Sequence, residues 1–187
     1  MKRFADLFNA IDQSTKTTVK VAALAAYFEA AEVEDRLWTV ALFSGRRPKR
    51  AVTTTRLREW AAEVSGVPLW LFEDSYAIVG DLAETITLVL PPSTSVDNQS
   101  LTQWINDLRA LSNVDETARK TFVLDAWERL GGTERFVFNK LITGGFRVGI
   151  SQKLMTRALS KATGKPEPEL AHRLMGKWHP DTDTWHS

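Results

Sequence analysis

The fold class follows from two amphipathic patterns and the turn between them, residues 133–159, which read TERFVFNKLITGGFRVGISQKLMTRAL. Apolar residues recur every three or four positions on either side of the central glycines, as they do on the buried face of an α-helix. This period runs through nearly the whole chain, and no useful length alternates apolar and polar residues as a half-buried strand would. The sequence therefore predicts an all-α protein.

Length and composition predict one soluble domain over residues 1–187. Hydrophobic residues make up 43% of the chain and charged residues 25%, which is ordinary for a globular protein. The absence of cysteine excludes disulfides and thiolate metal sites. The N-terminus lacks an apolar signal segment, and the longest apolar stretch, Ile86–Leu90, is too short to span a bilayer. We expect a cytoplasmic protein without a membrane partner.

The chain also shows a weak internal repeat. The matched pairs include Lys20 with Lys120, Leu24 with Leu124, and Gly45 with Gly144. Each copy contains a helix pair, a basic turn with glycine, and a helix that ends in Ser-Gly or Thr-Gly. We interpret the fold as a multi-helix domain of two pseudo-two-fold related halves, about residues 1–90 and 100–187. Identity between the copies is low, so chance agreement is the alternative.

Opposite charges are separated along the sequence, although the net charge is only +1. Residues 44–58 hold six Lys or Arg and no acid, and residues 139–165 hold six more and no acid. Residues 59–108 hold eight acids and no Lys or Arg. This separation predicts one basic and one acidic face, although solvated helix faces are the simpler explanation.

The turn Gly144–Ser151 has the residue types that a phosphate-binding backbone requires. Glycines let the main chain approach a phosphate closely, and Ser151 is placed to cap the next helix, whose N-terminus attracts anions. Arg147 adds a planar cation that suits phosphate or a narrow minor groove, and Lys153 lies near the start of the next helix. The alternative is a tight interhelical turn with an exposed arginine.

Two segments of the first half are further candidates. Residues 45–50 are followed by hydroxyl residues, a combination that suits a phosphate backbone but also a flexible solvated loop. Residues 14–18 lie at a helix start, where their hydroxyls serve either phosphate binding or simple capping. The candidate DNA-binding residues of all three segments are Thr15, Lys16, Thr17, Arg46, Arg47, Lys49, Arg50, Thr53, Gly144, Arg147, Gly149, Ser151 and Lys153.

The remaining residues predict no catalytic centre and no metal site. The chain contains no phosphate-binding loop with a lysine, no nucleophile elbow and no paired-histidine motif. Five tryptophans lie on apolar helical faces and are predicted to be core residues: Trp38, Trp60, Trp70, Trp104 and Trp127. Two others near the C-terminus, Trp178 and Trp185, are candidates for docking on a neighbouring domain.

Several segments together resemble the N-terminal DNA-binding domain of bacterial ATP-dependent DNA ligases. They include residues 4–8, residues 79–85 and, most specifically, the Gly-x-x-Arg-x-Gly turn from Gly144 with the helix from Ser151 to Leu159. The resemblance implies an all-helical, pseudo-two-fold domain that binds the minor groove on both sides of a nick. It also implies backbone contacts at Gly144, Arg147, Gly149 and Ser151 and a basic contact at Lys16. The turn at Arg46–Arg50 is more basic than the family pattern, so its assignment depends on charge and repeat position.

The family's adenylated lysine lies in a Lys-x-Asp-Gly motif, and this sequence contains none. We therefore expect a fragment or isolated domain, inactive alone, of a longer nick-sealing enzyme that acts in DNA replication, repair and recombination. Its partners would be nicked duplex DNA and the catalytic domains of the same ligase. ATP and Mg²⁺ would belong to the full-length enzyme and not to this chain. The alternative function is a helical-repeat module that binds an acidic protein partner.

Overall fold

The computed structural model describes residues 1–146 and 148–186, and within them it is all α-helical, which confirms the predicted fold class. No strand occurs in this part of the chain, and no helix in it is long and apolar enough to cross a membrane. The helices are α1 Lys2–Asp12, α2 Thr17–Ala30, α3 Val33–Phe43, α4 Thr54–Ser65, α5 Leu69–Val79, α6 Leu82–Val89, α7 Leu101–Ala110, α8 Glu116–Arg129, α9 Gly132–Thr143, α10 Gln152–Thr163 and α11 Glu167–Met175. A short 3₁₀ turn, Leu111–Asn113, follows α7.

Helix ends follow the capping residues of the sequence. The side chains of Thr53, Asp81 and Asp115 accept hydrogen bonds from backbone N–H groups in the first turns of α4, α6 and α8. These bonds satisfy donors that have no partner inside the helix. At the end of α9, Gly144 adopts φ +83° and donates its N–H to the Lys140 carbonyl at 2.8 Å. Glycine suits this left-handed position because it has no Cβ.

The chain divides into two compact units. The middle unit comprises Pro48–Gln99 and Gln103–Gly145 together with Met1. The terminal unit comprises Lys2–Arg47, Ser100–Thr102 and the described part of Phe146–Ser187. The two units do not coincide with the predicted halves 1–90 and 100–187, because each unit contains residues of both halves. The two-fold relation of the halves stays a prediction.

The terminal unit is built around α2, which packs against α1 and α10, while α10 also packs against α11. An aromatic cluster lies at one side of this core, where the ring of Phe4 contacts those of Tyr27, Phe43 and Phe146. The Tyr27 hydroxyl lies 2.8 Å from the Thr39 hydroxyl in the interior, and burial raises the pKa of Tyr27 well above its usual value. This tyrosine therefore stays neutral at physiological pH.

The middle unit contains a fully buried polar group among its aromatic rings. Asn139 is 0% exposed; its Oδ1 accepts the Trp127 indole N–H at 2.8 Å, and its Nδ2 lies 3.0 Å from Thr87 Oγ1. Nearby, the buried Arg135 donates to the carbonyls of Leu130 and Trp127, and burial lowers its pKa. These polar groups are tolerated in the interior because they are hydrogen-bonded.

The prediction that Trp70 is a core residue is wrong. Its side chain in α5 is 65% exposed, whereas the other four tryptophans predicted to be core are buried. Helix α5 carries apolar residues on every face, and Phe72 is its only fully buried residue in the described structure. Because such a helix has no single apolar stripe, its sequence does not show which face packs inward.

The two C-terminal tryptophans pack within the terminal unit. The sequence had made them candidates for docking on another domain. The guanidinium of Arg46 lies 4.3 Å from the ring centroid of Trp178. The Trp185 ring lies 5.4 Å from Phe28 and 5.3 Å from the guanidinium carbon of Arg36. The segment after α11 is thus held against the helices of its own unit.

Replacing Asn139 tests the buried polar network of the middle unit. We expect Asn139→Ala to lower the free energy of unfolding by about 1–3 kcal/mol, because the Trp127 N–H loses its acceptor in the interior. Gln13→Ala is the matched control, since it removes an amide that bonds Asn9 at an exposed position and should change stability by less than about 0.5 kcal/mol. Urea denaturation followed by circular dichroism measures both. Equal stability of the two variants would contradict the assigned role of Asn139.

Candidate nucleic-acid interface

The loop before α10 presents an exposed backbone. Gly149 is exposed and adopts φ +64°, a left-handed conformation that side chains other than glycine rarely adopt. Ser151 follows as the N-cap, and its hydroxyl accepts the Leu154 N–H at 3.1 Å. The N–H groups of Gln152 and Lys153 precede the first intrahelical bond of α10, so this helix end carries partial positive charge.

Two apolar side chains hold the backbone before Gly149 in place: Phe146 is half-buried and Val148 is buried. The Phe146 ring lies 5.8 Å from the ring of Phe4 and 5.8 Å from that of Phe8, measured between centroids. Val148 is 9% exposed, directly before the exposed Gly149. Arg147, a predicted contact residue, lies outside the described residues. The backbone at Gly149 is therefore anchored where it meets solvent.

The start of α2 has a similar chemistry. Its N-cap residue is Lys16, and no side chain caps the helix. The first backbone bond joins the Lys20 N–H to the Lys16 carbonyl at 3.2 Å, so the N–H groups of residues 17–19 lie before it. Thr15, Lys16 and Thr17 are all exposed. This helix end is therefore accessible and positively polarised.

Lys20 brings these two helix starts together. Its Nζ donates to the Val148 carbonyl at 3.3 Å, and a Cβ added at Gly149 would lie 3.3 Å from the same Nζ. Because Lys20 lies one turn inside α2, and α2 packs along α10, the starts of both helices lie on the same end of the terminal unit. We call this surface the helix-start site and define it by Thr15, Lys16, Thr17, Lys20, Gly149, Ser151 and Lys153.

The sequence analysis did not predict Lys20 as a contact residue. Lys20 lies four residues after Lys16, so both lysines are on one face of α2. This spacing in the sequence would have indicated that Lys20 belongs with Lys16. The contact with Val148, which is 128 residues away in sequence, depends on the packing of α2 against α10. Periodicity within one segment contains no information about such a long-range contact.

Arg46 lies beside the start of α10 but is engaged with the end of α11. Its guanidinium donates to the Gly176 carbonyl at 3.3 Å and to the Trp178 carbonyl, and it stacks on the Trp178 ring. A cavity of about 290 Å³ is lined by Phe43, Ser44, Arg46, Ile150, Ser151, Gln152, Met155 and Leu174. Arg46 therefore holds the segment after α11 and also adds positive charge next to Ser151.

The other predicted contact residues occupy different places. Arg47 is exposed in the terminal unit, whereas Lys49, Arg50, Thr53 and Gly144 belong to the middle unit. Arg50 donates to the Thr143 carbonyl at 2.9 Å, and Thr53 is occupied as the N-cap of α4. Lys49 is exposed. Within the terminal unit, the structure groups Thr15, Lys16, Thr17, Gly149, Ser151 and Lys153.

Glutamate side chains form ion pairs with two of the six basic residues in residues 44–58. Arg56 forms ion pairs with Glu59 at 2.8 Å and Glu116 at 3.0 Å, and its hydrogen bond to Glu59, followed by the charge of Glu116, raises the pKa of Arg56. Arg58 pairs with Glu73 at 2.9 Å. Clustered charge in the sequence therefore overstates the charge that these residues present to a ligand.

Comparison with known proteins identifies the family. The family model described as "DNA ligase N terminus" matches residues 1–160. The chain belongs to the family of DNA ligase N-terminal domains. A relative described as "Probable DNA ligase", from Koribacter versatilis (strain Ellin345), is 24% identical over 188 residues. The alignment covers 94% of this chain and 32% of that protein, so this DNA ligase N-terminal chain spans about a third of its curated relative.

Removing the Arg46 side chain tests its structural role in this DNA ligase N-terminal chain. We expect Arg46→Ala to lower the free energy of unfolding by about 1–2 kcal/mol, because a cation–π contact and charged hydrogen bonds to two carbonyls are lost. Lys161→Ala, at an exposed position of α10, is the control and should change stability by less than about 0.5 kcal/mol. Thermal or urea unfolding gives both values. A parent-like stability for Arg46→Ala would show that Arg46 does not hold the C-terminal segment.

Proposed function

We propose that this chain is the DNA-binding module of a DNA ligase, which grips duplex DNA around a nick and holds it for the catalytic domains of the same enzyme. The observation that carries the proposal is the helix-start site, in a chain of the DNA ligase N-terminal family. Two positively polarised helix starts, an exposed glycine backbone and exposed lysines lie together there. This combination suits the phosphate backbone of a nucleic acid.

The proposed contacts follow from the donors of the site. Backbone N–H groups at the starts of α2 and α10 would each bind phosphate oxygens, with the hydroxyls of Thr15 and Thr17 beside them. Lys16 and Lys153 would add charge, and Gly149 would let a sugar-phosphate strand approach the main chain. Because these groups contact phosphate and sugar, binding would depend weakly on base sequence.

Preorganisation supports the proposal. Without a ligand, the Lys20 side chain bonds the Val148 carbonyl, and the ring of Phe146 packs against those of Phe4 and Phe8. A site whose backbone is already ordered loses less conformational entropy on binding than a flexible loop does. The backbone at Gly149, which follows the anchored Val148, is therefore suited to bind DNA with a small loss of conformational entropy.

The remaining candidates form a second proposed set: Arg46, Arg47, Lys49, Arg50, Thr53, Gly144 and Arg147. They depend on charge, on the family motif and on the proposed two-fold relation of residues 1–90 with residues 100–187. Two related halves would present similar turns to the two strands of a duplex. The bond of Arg50 to Thr143 is compatible with this role, because a guanidinium has five N–H donors.

ATP and Mg²⁺ are assigned to the full-length ligase. Among residues 1–146 and 148–186, no group of three or more His, Asp or Glu side chains is arranged to hold a metal ion. The sequence also contains no Lys-x-Asp-Gly motif. We therefore assign adenylate chemistry to other domains and expect this chain alone to leave nicks unsealed. Replication, repair and recombination in the cytoplasm are the proposed setting.

Salt dependence distinguishes DNA binding from the alternative acidic protein partner. If about five to eight cations reach phosphates, the logarithm of the association constant should fall with the logarithm of salt concentration with a slope of roughly −5 to −7. Fluorescence anisotropy with labelled nicked and intact duplexes of two base sequences measures this slope. Polyglutamate is the competitor control. Tighter binding to polyglutamate than to DNA would favour the alternative function.

Two glycine variants test the helix-start site. Gly149→Ala and Gly164→Ala both place a side chain at positive φ, but only Gly149 lies at the site, with Lys20 Nζ as its neighbour. We expect both to lose about 1–2 kcal/mol of stability and only Gly149→Ala to weaken DNA binding, by about tenfold or 1.4 kcal/mol. Anisotropy titrations under conditions where both variants stay folded measure this difference. Equal DNA affinities of the two variants would remove Gly149 from the interface.

A further inference from the structure

Helix α5 exposes an apolar face that the DNA-binding proposal does not use. Ile78 is 87% exposed, Trp70 is 65% exposed and Leu71 is 41% exposed. Phe72 is the only fully buried residue of the helix in the described structure. A run of large apolar side chains on one helix of a folded protein marks an interaction surface more often than isolated exposed residues do.

An acidic residue lies in the centre of this face. Trp70, Asp74 and Ile78 are spaced four residues apart, so they form one row along α5. Asp74 is exposed, and the structure of residues 1–146 and 148–186 gives its carboxylate no hydrogen-bond or ion-pair partner. Glu73 is the next residue toward the N-terminus and pairs with Arg58 at 2.9 Å. The row therefore presents apolar, negative and apolar side chains in that order.

The charges near the row favour a basic partner. Residues 59–108 contain no Lys or Arg. Acids in this region, including Glu63 and Asp81, are already paired with Lys120 and Lys140 of the same unit. The Asp74 carboxylate can therefore form an ion pair with a cation of a partner. A partner that buried Asp74 without supplying a cation would bind less favourably, because an unpaired charge would leave water.

A second copy of the chain is a poor occupant for the same surface. Two identical rows that pair antiparallel about a two-fold axis bring the central residue of one row against the central residue of the other. The central residue is Asp74, so self-association would place two negatively charged carboxylates against each other, and they would repel. The row is complementary to a different sequence and not to itself.

We propose that the row Trp70–Asp74–Ile78 is a docking surface for an amphipathic helix of a protein partner. The partner helix would place a Lys or Arg between two large apolar residues at the same four-residue spacing. Its cation would pair with Asp74, and its apolar residues would cover Trp70 and Ile78. This site uses none of the candidate DNA-binding residues, so it is independent of the proposed DNA-binding function.

A charge-swap experiment tests this proposal. The probes are two labelled, alanine-rich helical peptides in which two Leu flank a central Lys or a central Glu at four-residue spacing. We expect the parent chain to bind the Lys peptide about tenfold tighter than the Glu peptide by fluorescence anisotropy. Asp74→Lys should reverse this preference, and Trp70→Ala or Ile78→Ser should weaken binding of the Lys peptide about tenfold.

A matched variant separates local pairing from net charge. Asp12→Lys makes the same charge change at an exposed position at the end of α1, and we expect it to retain the preference of the parent. Circular dichroism confirms that each variant is folded. The proposal is overturned if the parent binds both peptides equally or neither at millimolar concentration. It is also overturned if Asp12→Lys has the effect of Asp74→Lys, or if sedimentation shows dimers that Trp70→Ala abolishes.

Discussion

The packing of α2 along α10 is the contact on which the arrangement of the terminal unit depends. It brings residues from opposite ends of the chain together, and the Lys20 bond to the Val148 carbonyl connects the first turns of α2 to the loop before α10. Without this packing, the two helix starts would be unrelated surfaces. With it, the polarised N–H groups of both helix starts and the exposed backbone at Gly149 lie at one end of the terminal unit, as the proposed site requires.

The positive charges of this chain have three different roles, although they look alike in the sequence. Arg56 and Arg58 are paired with carboxylates, and Arg46 and Arg50 bind carbonyls at helix ends. Lys16 and Lys153, together with Lys49, are exposed. A phosphate backbone attracts cations that remain accessible, so the exposed lysines carry more of the proposed function than the density of arginines suggests.

Apolar side chains are likewise divided between structure and surface. The rings of Trp104 and Trp127 are buried in the middle unit, whereas Trp70 and Ile78 on α5 remain in solvent. Burial of these two side chains would add to the stability of the chain, yet the fold leaves them exposed. Apolar area therefore stays available on α5, where Trp70 and Ile78 flank the carboxylate of Asp74.

Local patterns in the sequence were sufficient for the all-α class and for several helix ends, because periodicity and capping act over three or four residues. They identified the turn at Gly149 and the cap at Ser151, and the resemblance to DNA ligases is matched by the family model over residues 1–160. They did not predict the Lys20 contact or the exposure of Trp70. Both depend on which helix faces meet across long sequence separations, and such pairing becomes defined only when the whole chain packs.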